Sequence, residues 1–222
     1  MKLPAEWDVY LVTDRAFSRG RTTLDIVTAA SRGGISAVQL REKELSTREF
    51  LQEGLLLKEI LAAYQVPFII NDRIDIALAL DADGVHLGQK DMPVTLARKL
   101  LGPQKIVGLS INTLEEIDEE AFAYADYLAI SPVFFTSTKA DISRPWGLEG
   151  IHTARALTHL PLVGIGGINL ENAQEVTAAG IDCVAVVTAI TSADDPENAT
   201  RELLMQVQEG KKIRERSTHK GC

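Results

Sequence analysis

Eight short apolar runs recur along this chain, and patterns typical of helices separate them. The runs cover residues 9–13, 37–41, 68–71, 84–87, 106–110, 127–131, 162–165 and 183–187. Most are continuous rather than alternating, which is typical of parallel strands covered on both faces. Strand and helix alternating about eight times predicts an α/β protein with a single-domain (β/α)8 TIM barrel. An open doubly wound sheet usually has fewer strands and a topological switch point.

Several helix starts can be predicted between these runs. Ser46-x-x-Glu49 and Asn112-x-x-Glu115 both have the spacing of a capping box. Asp195 followed by Pro196 is typical of an N-cap with proline in the first turn. Because no linker-like segment divides the chain, we expect one domain over residues 1–210. The basic, polar residues 211–222 predict a disordered tail.

Composition excludes several classes of function. The net charge of −8 over 222 residues argues against nonspecific binding to nucleic acid or to anionic membranes. Cys183, inside an apolar run, and the terminal Cys222 form no disulfide framework, as expected in a reducing cytoplasm. Cys183 is interpreted as a small buried hydrophobe. The start of the chain does not resemble a signal peptide, and no run of about 18 apolar residues predicts a membrane span.

Polar residues follow the apolar runs and precede the helices, where a barrel has its C-terminal rim. They are Thr13-Asp14, 39–43, Asn71-Asp72, 89–91, Ser110, 136–139, Gly166-Gly167 and Thr188. Though distant in sequence, these residues are expected to meet in one pocket.

Asp72 and Asp91 follow neighbouring strands and are candidate ligands of Mg²⁺, which takes one or two carboxylates together with substrate phosphates and water. The alternative is that Asp72 caps the following helix and Asp91 caps the loop before Pro93, and for an isolated aspartate at a strand–helix junction capping is the commoner role. Nearby Asn71, Arg41 and Lys43 favour the metal interpretation, because they can bind the outer oxygens of a diphosphate.

Other candidates also have structural alternatives. Arg41-Glu42-Lys43 is either part of the site or a solvated charged turn, although Gln39 and Arg41 share one strand face. His86 either lines the pocket or is a satisfied core histidine. The glycines of segment 164–168 either bring backbone N–H groups to a phosphate or only permit a tight turn. The hydroxyl-rich segment 136–139 is either a lid over an anionic substrate or a surface excursion.

Six motifs in register resemble the thiamine phosphate synthase family over about residues 10–190. They are Gln39-Leu40-Arg41-Glu42-Lys43, Ile70-Asn71-Asp72-Arg73, segment 83–91, Thr136-x-Thr138-Lys139-x-Asp141, Gly147-Leu148-Glu149-Gly150 and segment 164–168. The resemblance implies condensation of hydroxymethylpyrimidine diphosphate with hydroxyethylthiazole phosphate, giving thiamine phosphate and pyrophosphate.

The resemblance also implies roles for individual residues. Asp72 and Asp91 hold Mg²⁺, and Arg41, Lys43 and Lys139 are the catalytic cations. The pyrimidine diphosphate site comprises Gln39, Leu40, Arg41, Glu42, Lys43, Asn71, His86, Ser110 and Lys139. The thiazole phosphate site comprises Thr136, Ser137, Thr138, Gly167, Val187 and Thr188. The implied partners are these two small molecules, with neither nucleic acid nor membrane, and self-association into a homo-oligomer is left open.

Two alternative functions belong to other classes. A thiazole tautomerase of the same superfamily shares the thiazole phosphate site, but is not expected to keep Asp72, Asp91, Lys139 and the Arg41/Lys43 pair together. A non-catalytic regulator that binds a phosphorylated metabolite needs a partner surface or a DNA-binding module, and the sequence indicates neither.

Overall fold

The structure, a computed structural model, describes residues 4–136 and 144–219 and contains a closed barrel of parallel strands. In the described chain the strands are β1 (Val9–Val12), β2 (Ala37–Leu40), β3 (Phe68–Asn71), β4 (Gly84–Leu87), β5 (Ile106–Ile111), β6 (Tyr127–Ile130), β7 (Leu162–Ile165) and β8 (Cys183–Val186). They pair in chain order, and β8 closes on β1. The predicted (β/α)8 barrel is confirmed, and every strand boundary lies within one residue of its prediction.

Helices surround the barrel. Within the described ranges they are α1 (Thr23–Gly33), α2 (Thr47–Tyr64), α3 (Ile74–Leu80), α4 (Val94–Leu101), α5 (Glu119–Tyr124), α6 (Gly147–Leu157), α7 (Ala173–Ala178), α8 (Thr188–Thr191) and α9 (Pro196–His219). Short 3₁₀ turns occupy Pro4–Glu6, Arg15–Phe17 and Leu114–Glu116. None of the helices in this part of the chain has both the length and the apolar character needed to cross a bilayer.

Two of the three predicted helix starts are confirmed. Ser46 and Glu49 form the capping box of α2, and the Asp195 carboxylate accepts a hydrogen bond from the Asn198 N–H at 3.1 Å at the start of α9. The prediction at Asn112 is wrong. The chain first makes the 3₁₀ turn, and the Asn112 N–H donates to Glu116 at 2.6 Å. Helix α5 begins later, where Asp118 caps it.

The prediction of a disordered tail from residue 211 is wrong as far as His219, because α9 continues to that residue. Basic side chains of this segment are bound to the N-terminal end of the barrel. The Lys211 ammonium donates to Asp8 at 2.5 Å and to the Trp7 carbonyl at 3.1 Å. Arg214 donates to Asp182 at 2.9 Å. Residues 220–222 lie outside the described residues.

The described residues form two apolar cores. The larger core packs the outward strand residues against the helices, and the smaller one fills the barrel interior. Trp7, Tyr10 and Tyr127 are the largest side chains of this interior core, and the Trp7 ring lies 5.2 Å from Tyr10 and 5.4 Å from Tyr127 between centroids. Cys183 lies in the same core and is fully buried, as predicted. These rings form the floor beneath the C-terminal rim.

Candidate active site

The clearest feature of the rim is a cluster of one lysine and two aspartates. Lys43 follows β2 and Asp72 follows β3. The Lys43 ammonium donates a hydrogen bond to the Asp72 carboxylate at 2.7 Å. Asp72 also lies within hydrogen-bonding reach of Asp91, which follows β4. Three successive strands therefore direct these side chains to one place, as the sequence predicted.

Neither aspartate caps a helix. Arg73 holds the N-cap position of α3 and Pro93 that of α4. The Asp91 carboxylate instead accepts from the Gly88 N–H at 2.7 Å and closes the turn after β4. Asp72 has a left-handed backbone, with φ of 60°, an unusual conformation for a residue with a side chain. The helix-capping interpretation of Asp72 is therefore wrong, whereas Asp91 caps the loop before Pro93 as its alternative interpretation predicted.

The two carboxylates have opposite pKa shifts. Burial raises the pKa of Asp72, but its hydrogen bonds with Lys43 and Asp91 outweigh burial and hold that pKa below its ordinary value. Burial and the adjacent Asp72 both raise the pKa of Asp91. Two carboxyl groups this close cannot both ionise easily without an added cation.

The donor chemistry of this pair fits a hard divalent cation. Within residues 4–136 and 144–219 there is no cluster of three or more histidine, cysteine, aspartate or glutamate side chains able to hold a metal. Mg²⁺ does not require one, because it is usually bound by one or two carboxylates with substrate phosphates and water. Asp72 and Asp91 are the residues that would hold it.

The charged triplet after β2 is not a solvated turn, because each side chain has a partner from another loop. Arg41 donates to Asp14 at 2.7 Å, and Glu42 accepts from Arg15 at 2.9 Å. Lys43 has the Asp72 contact described above. The Glu42 side chain is only 4% exposed and faces Arg15, whereas Lys43 is 55% exposed at the pocket.

Arg15 connects Glu42 to a second buried carboxylate, which the sequence did not predict. It also pairs with Glu53, a buried residue of α2. Burial outweighs the hydrogen bond from Arg15, and with repulsion from Glu53 it raises the pKa of Glu42. The sequence does contain a signal for this contact, because Glu53 lies at helical spacing between the apolar residues Phe50 and Leu57.

This raised pKa predicts a measurable pH dependence of stability. Glu42 loses its proton at a lower pH in the unfolded chain than in the folded protein. Its contribution to the free energy of unfolding therefore falls as pH rises from the unfolded pKa to the folded pKa. As pH rises above about 4, the ordinary pKa of glutamate, Glu42→Gln should therefore gain stability relative to the wild type. Urea denaturation at a series of pH values measures the difference.

Glu49→Gln is the matched control, with the opposite sign. Hydrogen bonds from Ser46 lower the pKa of the exposed Glu49, so the wild type gains stability as pH rises through that group's titration. As pH rises towards about 4, the ordinary pKa of glutamate, Glu49→Gln should lose stability relative to the wild type. Equal slopes for the two variants would contradict the assignment.

The floor of the pocket is polar, and His86 lies at its centre. Its Nδ1 lies 2.9 Å from the Tyr127 hydroxyl and its Nε2 lies 2.8 Å from the Ser110 hydroxyl. The Gln39 amide donates to the Tyr10 hydroxyl at 2.8 Å, and the two tyrosine hydroxyls are 3.2 Å apart. His86 therefore meets both descriptions at once, as a buried, hydrogen-bonded residue that lines the pocket from below.

Other predicted residues differ in what they present to the pocket. Asn71 ends β3 beside His86 of β4 and is almost fully buried. The Leu40 side chain is fully buried in the outer core, so only its backbone faces the rim. Thr136 is the last residue described before a gap. Ser137, Thr138, Lys139 and Asp141 lie outside the described residues.

The loop after β7 requires its glycines for packing. Gly166 and Gly167 have φ values of 100° and 69°, and an added Cβ would lie 2.8 Å from Pro132 and 2.7 Å from Phe134 respectively. The structural interpretation of these glycines is therefore supported, and it does not exclude a role for their N–H groups. Val187 and Thr188 lie nearby in the fold, where β8 leads into α8.

These features define a (β/α)8-barrel enzyme whose rim joins carboxylates with basic side chains. The family model described as "Thiamine monophosphate synthase" matches residues 9–190. Two similar relatives are each named "Thiamine-phosphate synthase". The Albidiferax ferrireducens protein is 54% identical over 85% of this chain and 86% of its own length, and the Clostridium novyi protein is 48% identical over 89% and 97%.

Solved structures agree with this match. The thiamine phosphate pyrophosphorylase from Pyrococcus furiosus superposes with a TM-score of 0.86 at 39% identity, over 95% of this chain and all of that one. A 3-hexulose-6-phosphate synthase, at 17% identity and a TM-score of 0.62, shares the fold alone. The chain belongs to the thiamine monophosphate synthase family, and it is a transferase.

Proposed function

We propose that this protein is a thiamine phosphate synthase that joins hydroxymethylpyrimidine diphosphate to hydroxyethylthiazole phosphate and releases pyrophosphate. The contact of Lys43 with the Asp72–Asp91 pair, directly above a polar floor, is the observation that carries the proposal. The cluster can hold a diphosphate, and the floor can hold a heteroaromatic ring next to it.

The diphosphate is bound by Arg41, Lys43, Asn71 and Lys139. Arg41 and Lys43 are already held at the rim by Asp14 and Asp72. Asp72 and Asp91 would hold Mg²⁺, which when bound would supply Lewis-acid stabilisation of the charge on the diphosphate oxygens. The basic side chains set a local positive potential, which explains how a protein of net charge −8 binds two anionic substrates.

The reaction needs no protein nucleophile. The bond between the pyrimidinylmethyl carbon and the diphosphate oxygen breaks, and its electron pair leaves on the diphosphate. Electron donation from the aminopyrimidine spreads the positive charge, and the lone pair of the thiazole nitrogen then forms the new carbon–nitrogen bond. Arg41, Lys43 and Lys139 stabilise the negative charge that develops on the leaving group, which lowers the barrier. The buried Cys183, whose pKa burial raises well above its ordinary value, takes no part.

The thiazole phosphate is bound on the opposite side of the rim. Thr136, Ser137 and Thr138 supply hydroxyl groups, and Gly167, Val187 and Thr188 supply backbone N–H groups. Thr188 is exposed and Val187 is half-buried, so both are open to a ligand. In this proposal the thiazole nitrogen faces the pyrimidinylmethyl carbon that it attacks.

A direct assay tests the proposal. Purified protein with both substrates and Mg²⁺ should form thiamine phosphate and one pyrophosphate per turnover, measured by fluorescence of the oxidised product and a coupled phosphate assay. Omission of either substrate is the control. Folded protein that forms no product, but isomerises a thiazole phosphate carboxylate, would instead establish a tautomerase.

A further inference from the structure

The barrel floor contains a chain of five side chains joined end to end by hydrogen bonds. The chain runs through Gln39, Tyr10, Tyr127, His86 and Ser110, with successive separations of 2.8, 3.2, 2.9 and 2.8 Å. These residues come from β2, β1, β6, β4 and β5, so the chain crosses the interior. Its two ends, Gln39 and Ser110, are both among the residues that the family resemblance implies for the pyrimidine diphosphate site.

The direction of each hydrogen bond follows from the number of protons available. Tyr10 and Tyr127 are fully buried, which raises both phenol pKa values, so each hydroxyl keeps its single proton. Tyr10 accepts from the Gln39 amide and has one other side-chain hydrogen-bond partner within the described residues, Tyr127. Tyr10 therefore donates to Tyr127, because a buried hydroxyl without an acceptor is costly.

The same count determines the tautomer of His86. Tyr127 accepts from Tyr10, so its own proton goes to His86 Nδ1. A neutral imidazole that accepts at Nδ1 has its proton on Nε2. Nε2 therefore donates to the Ser110 hydroxyl, and the proton of Ser110 is left for a ligand.

Tyr127 of β6 lies against a glycine of β5, the strand with which β6 pairs. A Cβ on Gly108 would collide with the ring and the hydroxyl of Tyr127. Ring stacking holds His86 as well, with a centroid distance of 5.6 Å and an interplanar angle of 20° to Tyr127. The Ser110 carbonyl accepts from Gln89 at 2.7 Å, which fixes the backbone of the last residue of the chain.

We propose that Tyr127 is a positioning residue: through this one-way chain it selects the Nε2–H tautomer of His86 and makes Ser110 a hydrogen-bond donor to a ring nitrogen of the pyrimidine. The proposal rests on the proposed function for the identity of the ligand. The tautomer itself follows from the protein alone. Without the Tyr127 hydroxyl, neither tautomer of His86 is favoured by a partner at Nδ1, and Ser110 can donate to His86 instead of to the substrate.

The first test is nitrogen-15 NMR of the histidine rings, and the sequence has four histidines. In the wild type, the His86 Nδ1 resonance should be of the unprotonated type and Nε2 of the protonated type, with His86→Gln giving the assignment. Tyr127→Phe should lose this pattern. Tyr10→Phe should keep it, because Tyr127 still has a proton to donate. A wild-type ring protonated at Nδ1 would overturn the proposal, and so would an unchanged pattern in Tyr127→Phe.

Steady-state kinetics is the second test. Tyr127→Phe should raise KM for the pyrimidine diphosphate about tenfold, the effect of one lost hydrogen bond, and leave KM for the thiazole phosphate unchanged. Tyr64→Phe, on the exposed surface of α2, is the control and should change neither constant. An equal rise in both KM values would overturn the positioning role. Wild-type protein with the expected tautomer but no synthase activity would overturn the proposed function alone.

Discussion

Replacing Asp72 and Asp91 together with alanine should reduce synthase activity by about a thousandfold or more, because the charge on the leaving diphosphate loses the cation that stabilises it. The fold should survive, since neither carboxylate caps a helix and Lys43, the partner of Asp72, is half exposed. Product formation measures the first effect, and far-UV circular dichroism with urea denaturation measures the second.

The matched control is Asp194→Ala with Glu209→Ala. It removes the same charge from two exposed carboxylates that pair with exposed basic side chains. Such pairs contribute about 0–1 kcal/mol, so both activity and stability should change little. Excess EDTA should abolish wild-type activity and Mg²⁺ should restore it. If the wild type kept its full rate in EDTA, the role of the aspartate pair would be refuted.

Trp7→Ala should lower the free energy of unfolding by about 3–5 kcal/mol, the usual range when a buried aromatic residue is truncated to alanine. Trp7 is fully buried beneath the barrel and contacts both Tyr10 and Tyr127. Its loss leaves a cavity that small neighbours such as Ala37 and Ala185 are too short to fill. Urea denaturation followed by circular dichroism measures the change.

Tyr64→Ala is the control for this prediction. Tyr64 is 41% exposed near the end of α2, so its truncation should cost well under half as much. Trp7→Phe should fall between the two, because it keeps part of the ring volume. A Trp7→Ala protein as stable as Tyr64→Ala would show that the barrel floor does not depend on this side chain.

The strands and the rim were predictable because they depend on local patterns. Continuous apolar runs such as Phe68–Asn71 and Gly84–Leu87 are typical of strands buried on both faces, and the structure has the same bounds. Parallel topology then brings Asp72 and Asp91 to the same rim. The same geometry brings Lys43 close to Asp72. It does not by itself predict that the two side chains form an ion pair with a separation of 2.7 Å.

Partners that depend on long-range packing were not predictable. Arg15 joins Glu42 to Glu53, which lies on the buried side of α2 although glutamate is usually exposed. The basic residues after 210 have the composition of a tail, yet Lys211 binds Asp8, about two hundred residues earlier. Local composition contains no information on such a partner.

The amino-acid sequence by itself determined the barrel, the order of its strands and the face on which the polar residues meet, because strand period and helix caps are local properties. Its motifs also determined the family. Only the tertiary structure decided that Tyr10, Tyr127 and His86 form one hydrogen-bonded chain across the floor. Closing the barrel brings five strands within hydrogen-bonding distance, and burial then leaves each hydroxyl proton a single acceptor.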